Sequence, residues 1–129
     1  MPADAAKALL AEEYPDARVA SALEETLEAG PVLRLNVFSE DFYGYICFDA
    51  QGMCTKDIFF AECIRDGRIT QKGASSIMQL LRPEARITEI ELDHDDGLLL
   101  YEGEAYVNGV EYEFELDAYT GRLLQWDRD

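Results

Sequence analysis

The sequence predicts an α+β fold built from two tandem repeats, each a helix packed on a four-stranded antiparallel sheet. An Asn-Gly pair lies between two runs of alternating polarity near the C-terminus, which is the pattern of a β-hairpin. Two separated segments recur at one common offset, which indicates a repeat. With 129 residues and 48% hydrophobic content, the chain is long enough for one core or two abutting units.

The hairpin turns at Asn108-Gly109, because both central positions of a tight two-residue turn need a positive φ. Pairing outward from this turn sets Val107 opposite Val110 and Gly103 opposite Phe114. The strand after the turn alternates apolar and acidic residues, the period-two pattern of a half-buried strand. We therefore expect one apolar and one acidic face. A turn at 117–121 then leads into a short closing strand, Arg122–Trp126.

The repeat has an offset of 68 residues. Pro15–Val19 then aligns with Pro83–Ile87, and Phe48–Ala50 aligns with Leu116–Ala118 without a gap. The apolar positions of the two helices agree as well, at the spacing of an amphipathic helix. The predicted units are repeat 1 at residues 2–60, a connector at 61–72 and repeat 2 at 73–129.

The predicted elements follow from local signals. We expect helices at Ala5–Glu13, with Asp4 as the N-cap, and at Ala74–Leu81, each ended by a following proline. The predicted strands lie at residues 18–25, 33–38, 42–48 and 53–60 in repeat 1, and at 86–92, 98–107, 110–116 and 122–126 in repeat 2. The connector contains Arg65, Arg68 and Lys72, and its Asp66-Gly67 pair is a further hairpin signal.

The run from Val110 to Leu124 resembles the end of a PepSY domain, with its alternating strand, Asp-Ala pair and Thr-Gly turn. This resemblance implies a small non-catalytic helix-and-sheet module, found in propeptides of thermolysin-like metalloproteases and in bacterial envelope proteins. The tandem arrangement also resembles the fold of the beta-lactamase inhibitory protein, which implies a joined sheet that offers an aromatic surface to another protein.

Charge and composition exclude several function classes. Eleven basic against 27 acidic side chains give a net charge of −16, which disfavours nucleic acids and anionic membranes. No run of 18 apolar residues occurs, and the first residues lack the pattern of a signal peptide. The chain as it stands is thus expected to be cytoplasmic, or secreted or in the cell envelope if a signal has been removed.

The sequence offers little for catalysis or metal binding. The single histidine, His94, is expected in a surface turn, and we expect no enzyme activity and no cofactor. The strongest metal candidates are Asp93, Asp95 and Asp96, but their spacing departs from a calcium loop. The spacing of three cysteines does not suit zinc. A disulfide between Cys47 and Cys54, predicted to lie opposite each other, is an alternative to free thiols.

Repeat 2 is predicted to carry a glutamate cluster on the sheet face away from its helix. Glu102 would oppose Glu115 and Glu104 would oppose Glu113, with Glu111 beside them. Like charges directly opposed across strands are destabilising. Such a cluster suits a basic partner, a divalent cation or the basic connector folding back. The plainer alternative is a solvated face that discourages aggregation.

The corresponding face of repeat 1 is predicted to be aromatic and is called the aromatic face below; its residues are Arg34, Asn36, Phe38, Tyr43, Tyr45 and Cys47. Exposed aromatic clusters mark contact surfaces, whereas packing against repeat 2 is the alternative. The sequence thus favours a non-catalytic module that binds or inhibits a protein or peptide through an open sheet face. The alternatives are a divalent-cation domain and a self-associating module with the aromatic face in a homodimer.

Overall fold

The computed structural model describes all 129 residues and has an α+β architecture. Helix α1 spans Ala3–Glu13 and α2 spans Gln71–Leu81. The strands of the first half are β1 (Arg18–Leu27), β2 (Gly30–Phe38), β3 (Phe42–Asp49) and β4 (Gly52–Phe60). A short hairpin, β5 (Ile64–Arg65) and β6 (Arg68–Ile69), precedes α2. The strands after α2 are β7 (Arg86–Asp95), β8 (Leu98–Val107), β9 (Val110–Asp117) and β10 (Leu123–Arg128).

The long strands form two separate four-stranded antiparallel sheets. Sheet 1 has the order β1-β2-β3-β4 and sheet 2 has the order β10-β9-β8-β7, so each is a meander. The two sheets do not join, and this differs from the joined sheet that the likeness to the inhibitory protein implied. Helix α1 and strands β1 and β3 have counterparts 68 residues later with the same lengths. Neither helix has the length and apolar character needed to cross a membrane.

The turns follow the sequence closely. Asn108 and Gly109 both have positive φ, at 50° and 79°, so the predicted hairpin turn is present. Val107 pairs with Val110, and Gly103 pairs with Phe114, as expected. The Asp66-Gly67 hairpin in the connector is also present.

Both helices begin earlier than predicted. In α1 the N-cap is Pro2, whose extended backbone precedes the helix, and Asp4 lies in the first turn instead of capping it. In α2 the N-cap is Thr70, and its hydroxyl accepts a hydrogen bond from the Gly73 amide at 2.9 Å. The helix therefore takes up the end of the predicted connector. A threonine cap ahead of two polar residues was the missed signal.

The cysteine register is also different from the prediction. A β-bulge in β4 sets Cys47 opposite Thr55, so Cys54 is the extra residue of the bulge. All three cysteines are free, and the Cys54 thiol donates to the Cys47 carbonyl oxygen at 3.3 Å. The Cys47–Cys54 disulfide is therefore wrong, because the bulge moves Cys54 out of register.

Two apolar clusters hold the fold together. The first lies between α1 and one face of sheet 1, where Ala6 and Leu10 pack on Leu35, Ile46 and Phe48. The second is centred on α2, whose Ala74, Ile77 and Met78 pack with residues of both sheets. From sheet 2 these are chiefly Tyr101, Ala105, Phe114 and Leu116, and from sheet 1 they include Phe38. Helix α2 contacts β2 and β3 as well as β7, so it is shared by the two sheets.

Phe38 links the two halves directly. Its side chain is fully buried, and a Cβ placed on Gly121 would lie 2.7 Å from the Phe38 ring. Gly121 has a φ of 72° and belongs to the Thr-Gly turn before β10. Any larger residue there would displace the ring and strain the turn. The layers are thus α1, sheet 1, α2 and sheet 2, which leaves the far side of sheet 2 without a covering element.

We predict that Phe38→Ala lowers the free energy of unfolding by about 3–5 kcal/mol, because it removes a buried ring from the core shared by both halves. Urea denaturation followed by circular dichroism in dilute solution measures this. The matched control is Phe60→Ala, since Phe60 is 85% exposed and should change stability by no more than about 0.5 kcal/mol. Equal effects of the two substitutions would show that Phe38 does not lie in a core.

Candidate functional site

The aromatic face predicted for partner binding is largely closed in the structure. Phe38 and Asn36 are 0% and 3% exposed, because α2 packs over β2 and β3 on the side away from α1. The expectation that these two side chains form an open contact surface is therefore wrong. The predicted register is nevertheless present, with Phe38 opposite Tyr43 and Asn36 opposite Tyr45. Packing against the second half of the chain, the alternative drawn from the sequence, describes this face.

Of the remaining residues of the aromatic face, Cys47 is buried, while Arg34, Tyr43 and Tyr45 are half-buried and held by neighbouring side chains. The Arg34 guanidinium lies 4.1 Å from the Tyr45 ring centre, and its Nε donates to Asn36 Oδ1 at 2.9 Å. Asn36 in turn donates to the Ser21 hydroxyl at 2.9 Å. Tyr43 stacks on Phe59 with ring centres 5.3 Å apart. These contacts fix the side chains, and Arg34 with Asn36 borders a groove of about 670 Å³ beside the end of α2.

The glutamate cluster, in contrast, lies on an open sheet face. Glu102 pairs with Glu115 and Glu104 pairs with Glu113, in the predicted register. The apolar side chains between them, such as Phe114, point to α2 and are buried. Alternation along β8 and β9 therefore places every glutamate of the two strands on the side without a helix.

The structure adds acidic residues that the sequence reasoning missed. Strand β7 continues to Asp95, and it sets Glu91 opposite Glu102 and Glu89 opposite Glu104. On the other side, Asp127 of β10 pairs with Glu113. The name acidic face is used hereafter for nine of the carboxylates on this side of sheet 2: Glu89, Glu91, Asp93, Glu102, Glu104, Glu111, Glu113, Glu115 and Asp127.

The signal for the additional residues was present in the chain. Residues Glu89 to Asp95 alternate between acidic and other residues, which is a strand pattern. The many aspartates led instead to the prediction of a turn that included His94, Asp95 and Asp96. The structure places His94 and Asp95 in β7 and keeps Asp96-Gly97 as the turn, with φ of 49° and 78°.

No cation forms an ion pair with the acidic face. The three ion pairs in the protein join Arg34 to Glu25, Lys56 to Glu13 and Arg65 to Glu62, and none involves this face. The basic connector does not fold back on it, since Arg65 binds Glu62 instead. Arg86 lies at one corner, where its guanidinium is 5.6 Å from the Tyr106 ring centre. The face encloses a shallow depression of about 280 Å³ lined mainly by glutamates and Gln125.

Partial desolvation and mutual repulsion raise the pKa of two carboxyl groups on the acidic face, Glu102 and Glu111. Partial desolvation raises the pKa of Glu102, and the charges of Asp93, Glu115 and Asp95 raise it further. Partial desolvation together with Glu104 and Asp129 raises the pKa of Glu111. A raised carboxyl pKa means that the charged form is disfavoured in the folded state. A positive group brought to this face would relieve that cost.

The arrangement does not resemble a metal centre. No group of three His, Cys, Asp or Glu side chains is placed to hold one ion. Asp93 lies on the acidic face, whereas Asp96 is in the turn after β7. The carboxylates are spread along strands instead of converging on a point. This geometry suits several separate positive charges better than one divalent cation.

We predict that Glu102→Gln raises the melting temperature at pH 7 by a few degrees, because it removes a repelled charge. A carboxyl group whose pKa is raised on folding destabilises the protein above that pKa. The gain should therefore shrink as the pH falls through the raised pKa, and vanish below the ordinary value of 4.5. Thermal melts from pH 3 to pH 8 provide the measurement. A variant that melts below the wild type at pH 7 would contradict the repulsion.

Comparison with known proteins bears on the half of the chain that carries the acidic face. No curated protein matches the chain. Among solved structures, a candidate lipoprotein from Clostridium difficile 630 aligns with 14% identity and a TM-score of 0.45, over 100% of this chain and 93% of that one. Residues 68–125 match the family model described as PepSY, peptidase propeptide and YPEB domain. The resemblance of the C-terminal strands to PepSY is thereby confirmed, and the matched residues include α2 and most of sheet 2.

Proposed function

We propose that this protein is a non-catalytic binding module that holds a basic segment of a protein or peptide on the acidic face of sheet 2. The observation that carries the proposal is the row of carboxylates opposed across four neighbouring strands without a cation within ion-pair distance. Such a row costs stability, and a basic partner would convert the repulsion into attraction.

The match to a family described by peptidase propeptides supports a binding role over catalysis. A propeptide domain acts by contact with another protein, which is consistent with a flat, open sheet face. Inhibition of a peptidase is a more specific form of this proposal. It would follow if the captured partner were an enzyme whose active site the module covers.

We also propose that the two halves are tandem copies of one unit. The equal lengths of α1 and α2, of β1 and β7, and of β3 and β9, all 68 residues apart, support this. The bulges in β1 and β7 fall at the same offset, after Val19 and Ile87. In this reading copy 1 has its second sheet face closed by α2, and copy 2 retains the open face for a partner.

The cation alternative rests on the same carboxylates. Their spread along the strands gives no three-ligand group, so the geometry favours a partner with distributed positive charge. A calcium titration of the melting temperature separates the two functions. A saturable stabilisation that Glu104→Gln with Glu113→Gln abolishes would favour the cation domain.

The proposed function is tested by capture of the partner with matched baits. The site variant replaces Glu102, Glu104, Glu113 and Glu115 by glutamine. The control variant replaces the exposed Glu12, Glu24, Glu28 and Glu84, so that both variants lose the same charge. Extracts and culture medium of the source organism are passed over wild type, site variant and control, and bound proteins are identified by mass spectrometry.

We predict that wild type and control retain the same partner and that the site variant loses it. Binding of the purified partner should weaken at least about tenfold in the site variant, and it should also weaken with added salt. A partner retained equally by the site variant would place binding elsewhere. Loss of the partner by both variants would show that binding depends on net charge alone and not on the acidic face.

A further inference from the structure

Strand β4 lies at the edge of sheet 1 and exposes an unused side of its backbone. Its one neighbour in the sheet is β3. None of the backbone hydrogen bonds outside the regular elements involves residues 52–60. The outward N–H and C=O groups of β4 are therefore free to pair with another strand.

The same strand carries the most exposed aromatic residue in the protein. Phe60 is 85% exposed and its neighbour Phe59 is 43% exposed. Natural edges are usually protected by charge. Edge strand β7 of sheet 2 follows that rule with four acidic residues, whereas β4 has one residue of each sign, Lys56 and Asp57. An apolar, electrically neutral edge in a chain with a net charge of −16 suits a partner that is not itself basic.

The charges of β4 restrict how two copies could pair. In an antiparallel pair of identical strands related by a two-fold axis, opposite residues point to the same face of the sheet. The axis must therefore pass through a residue that lies opposite its own copy, and not between two residues. An axis at Lys56 or Asp57 would place like charges opposite each other. An axis at Thr55 would run the new pairing through the bulge at Cys54.

An axis at Ile58 avoids these conflicts. It places Lys56 of one copy opposite Phe60 of the other. The Lys56 ammonium group binds Glu13 and the Tyr14 hydroxyl of its own chain, so its aliphatic stem is what lies beside the ring. The same axis also places Asp57 opposite Phe59, and both exposed rings become covered. Within one chain, Lys56, Ile58 and Phe60 lie on the same side of sheet 1, as their pairing with Ile46, Gly44 and Phe42 requires. This register is self-complementary.

We propose that the protein pairs with a second copy of itself along β4, antiparallel about a two-fold axis at Ile58. The product is one continuous eight-stranded sheet made from the two copies of sheet 1. This interface is distinct from the acidic face, which belongs to sheet 2, and from the aromatic face, which α2 closes. The proposal therefore stands independently of the proposed function.

The dependence on salt concentration separates dimerisation through β4 from binding of a basic partner to the acidic face. Two chains of charge −16 repel each other, and the β4 interface contains no opposed like charges. Dimerisation should therefore strengthen as the Debye length falls from about 10 Å at 0.1 M salt to about 3 Å at 1 M. Binding of a basic partner to the acidic face should weaken over the same range.

Sedimentation equilibrium of the wild type across this salt range tests the dimer. The expected result is a dimer at high salt, whose dissociation constant rises at least about tenfold in Phe60→Ser. The matched control is Leu124→Ser, because Leu124 is 44% exposed on β10 of the other sheet. Circular dichroism verifies that each variant is folded. A wild type that remains monomeric at high salt, or a dimer unaffected by Phe60→Ser, overturns the proposal.

Disulfide trapping tests the register in a Cys54→Ser background, which removes the exposed native thiol. With the axis at Ile58, Ile58→Cys lies opposite its own copy and should oxidise to a covalent dimer. Lys56→Cys would be offset by four residues from its copy, or about 13 Å along the strand, and should not cross-link. Cross-linking through Lys56→Cys, or none through Ile58→Cys in a sample that is dimeric, overturns this register.

Discussion

The structure depends on the burial of Phe38 between sheet 1 and the second half of the chain. Its ring lies against Gly121 and belongs to the cluster centred on α2. Because α2 packs on sheet 1 as well as on sheet 2, one helix closes a face of each. Full burial of an aromatic side chain contributes on the order of 2–3 kcal/mol from removed apolar surface alone. The two halves are therefore coupled through this core.

That coupling decides which surface is left for function. Sheet 1 has α1 on one face and α2 on the other, so its central strands are buried on both sides. Sheet 2 has α2 on one face, and its other face carries the nine carboxylates of the acidic face. The pKa values of Glu102 and Glu111 are raised by partial desolvation and, in addition, by the neighbouring negative charges. Our proposals assign a basic partner to this face and a second copy to the free edge of β4.

Local structure could be predicted from the sequence because short-range chemistry determines it. The Asn108-Gly109 turn sets the register of β8 and β9, and that register correctly opposed Glu102 to Glu115. What covers each face is a long-range property. The alternation that places Phe38 and Tyr45 on one side of sheet 1 is the same for an open surface and for an interior contact. The wide apolar surface of α2 was a clue to this contact. Five residues of α2 are buried, namely Gly73, Ala74, Ile77, Met78 and Leu80, whereas in α1 the buried residues are Ala6 and Leu10.

Hydroxyl-radical footprinting of the aromatic side chains most directly tests the claim that α2 closes the second face of sheet 1. The label reports solvent access at each ring, and peptide mass spectrometry resolves the positions. In dilute solution at low salt, which disfavours the β4 dimer, we predict that Phe38 is protected as strongly as Phe114. Phe60 and Tyr119 should react rapidly, in keeping with their exposures of 85% and 50%. Labelling of Phe38 at the rate of Phe60 would mean that α2 does not cover the aromatic face, and the assignment of function to the acidic face would lose its structural basis.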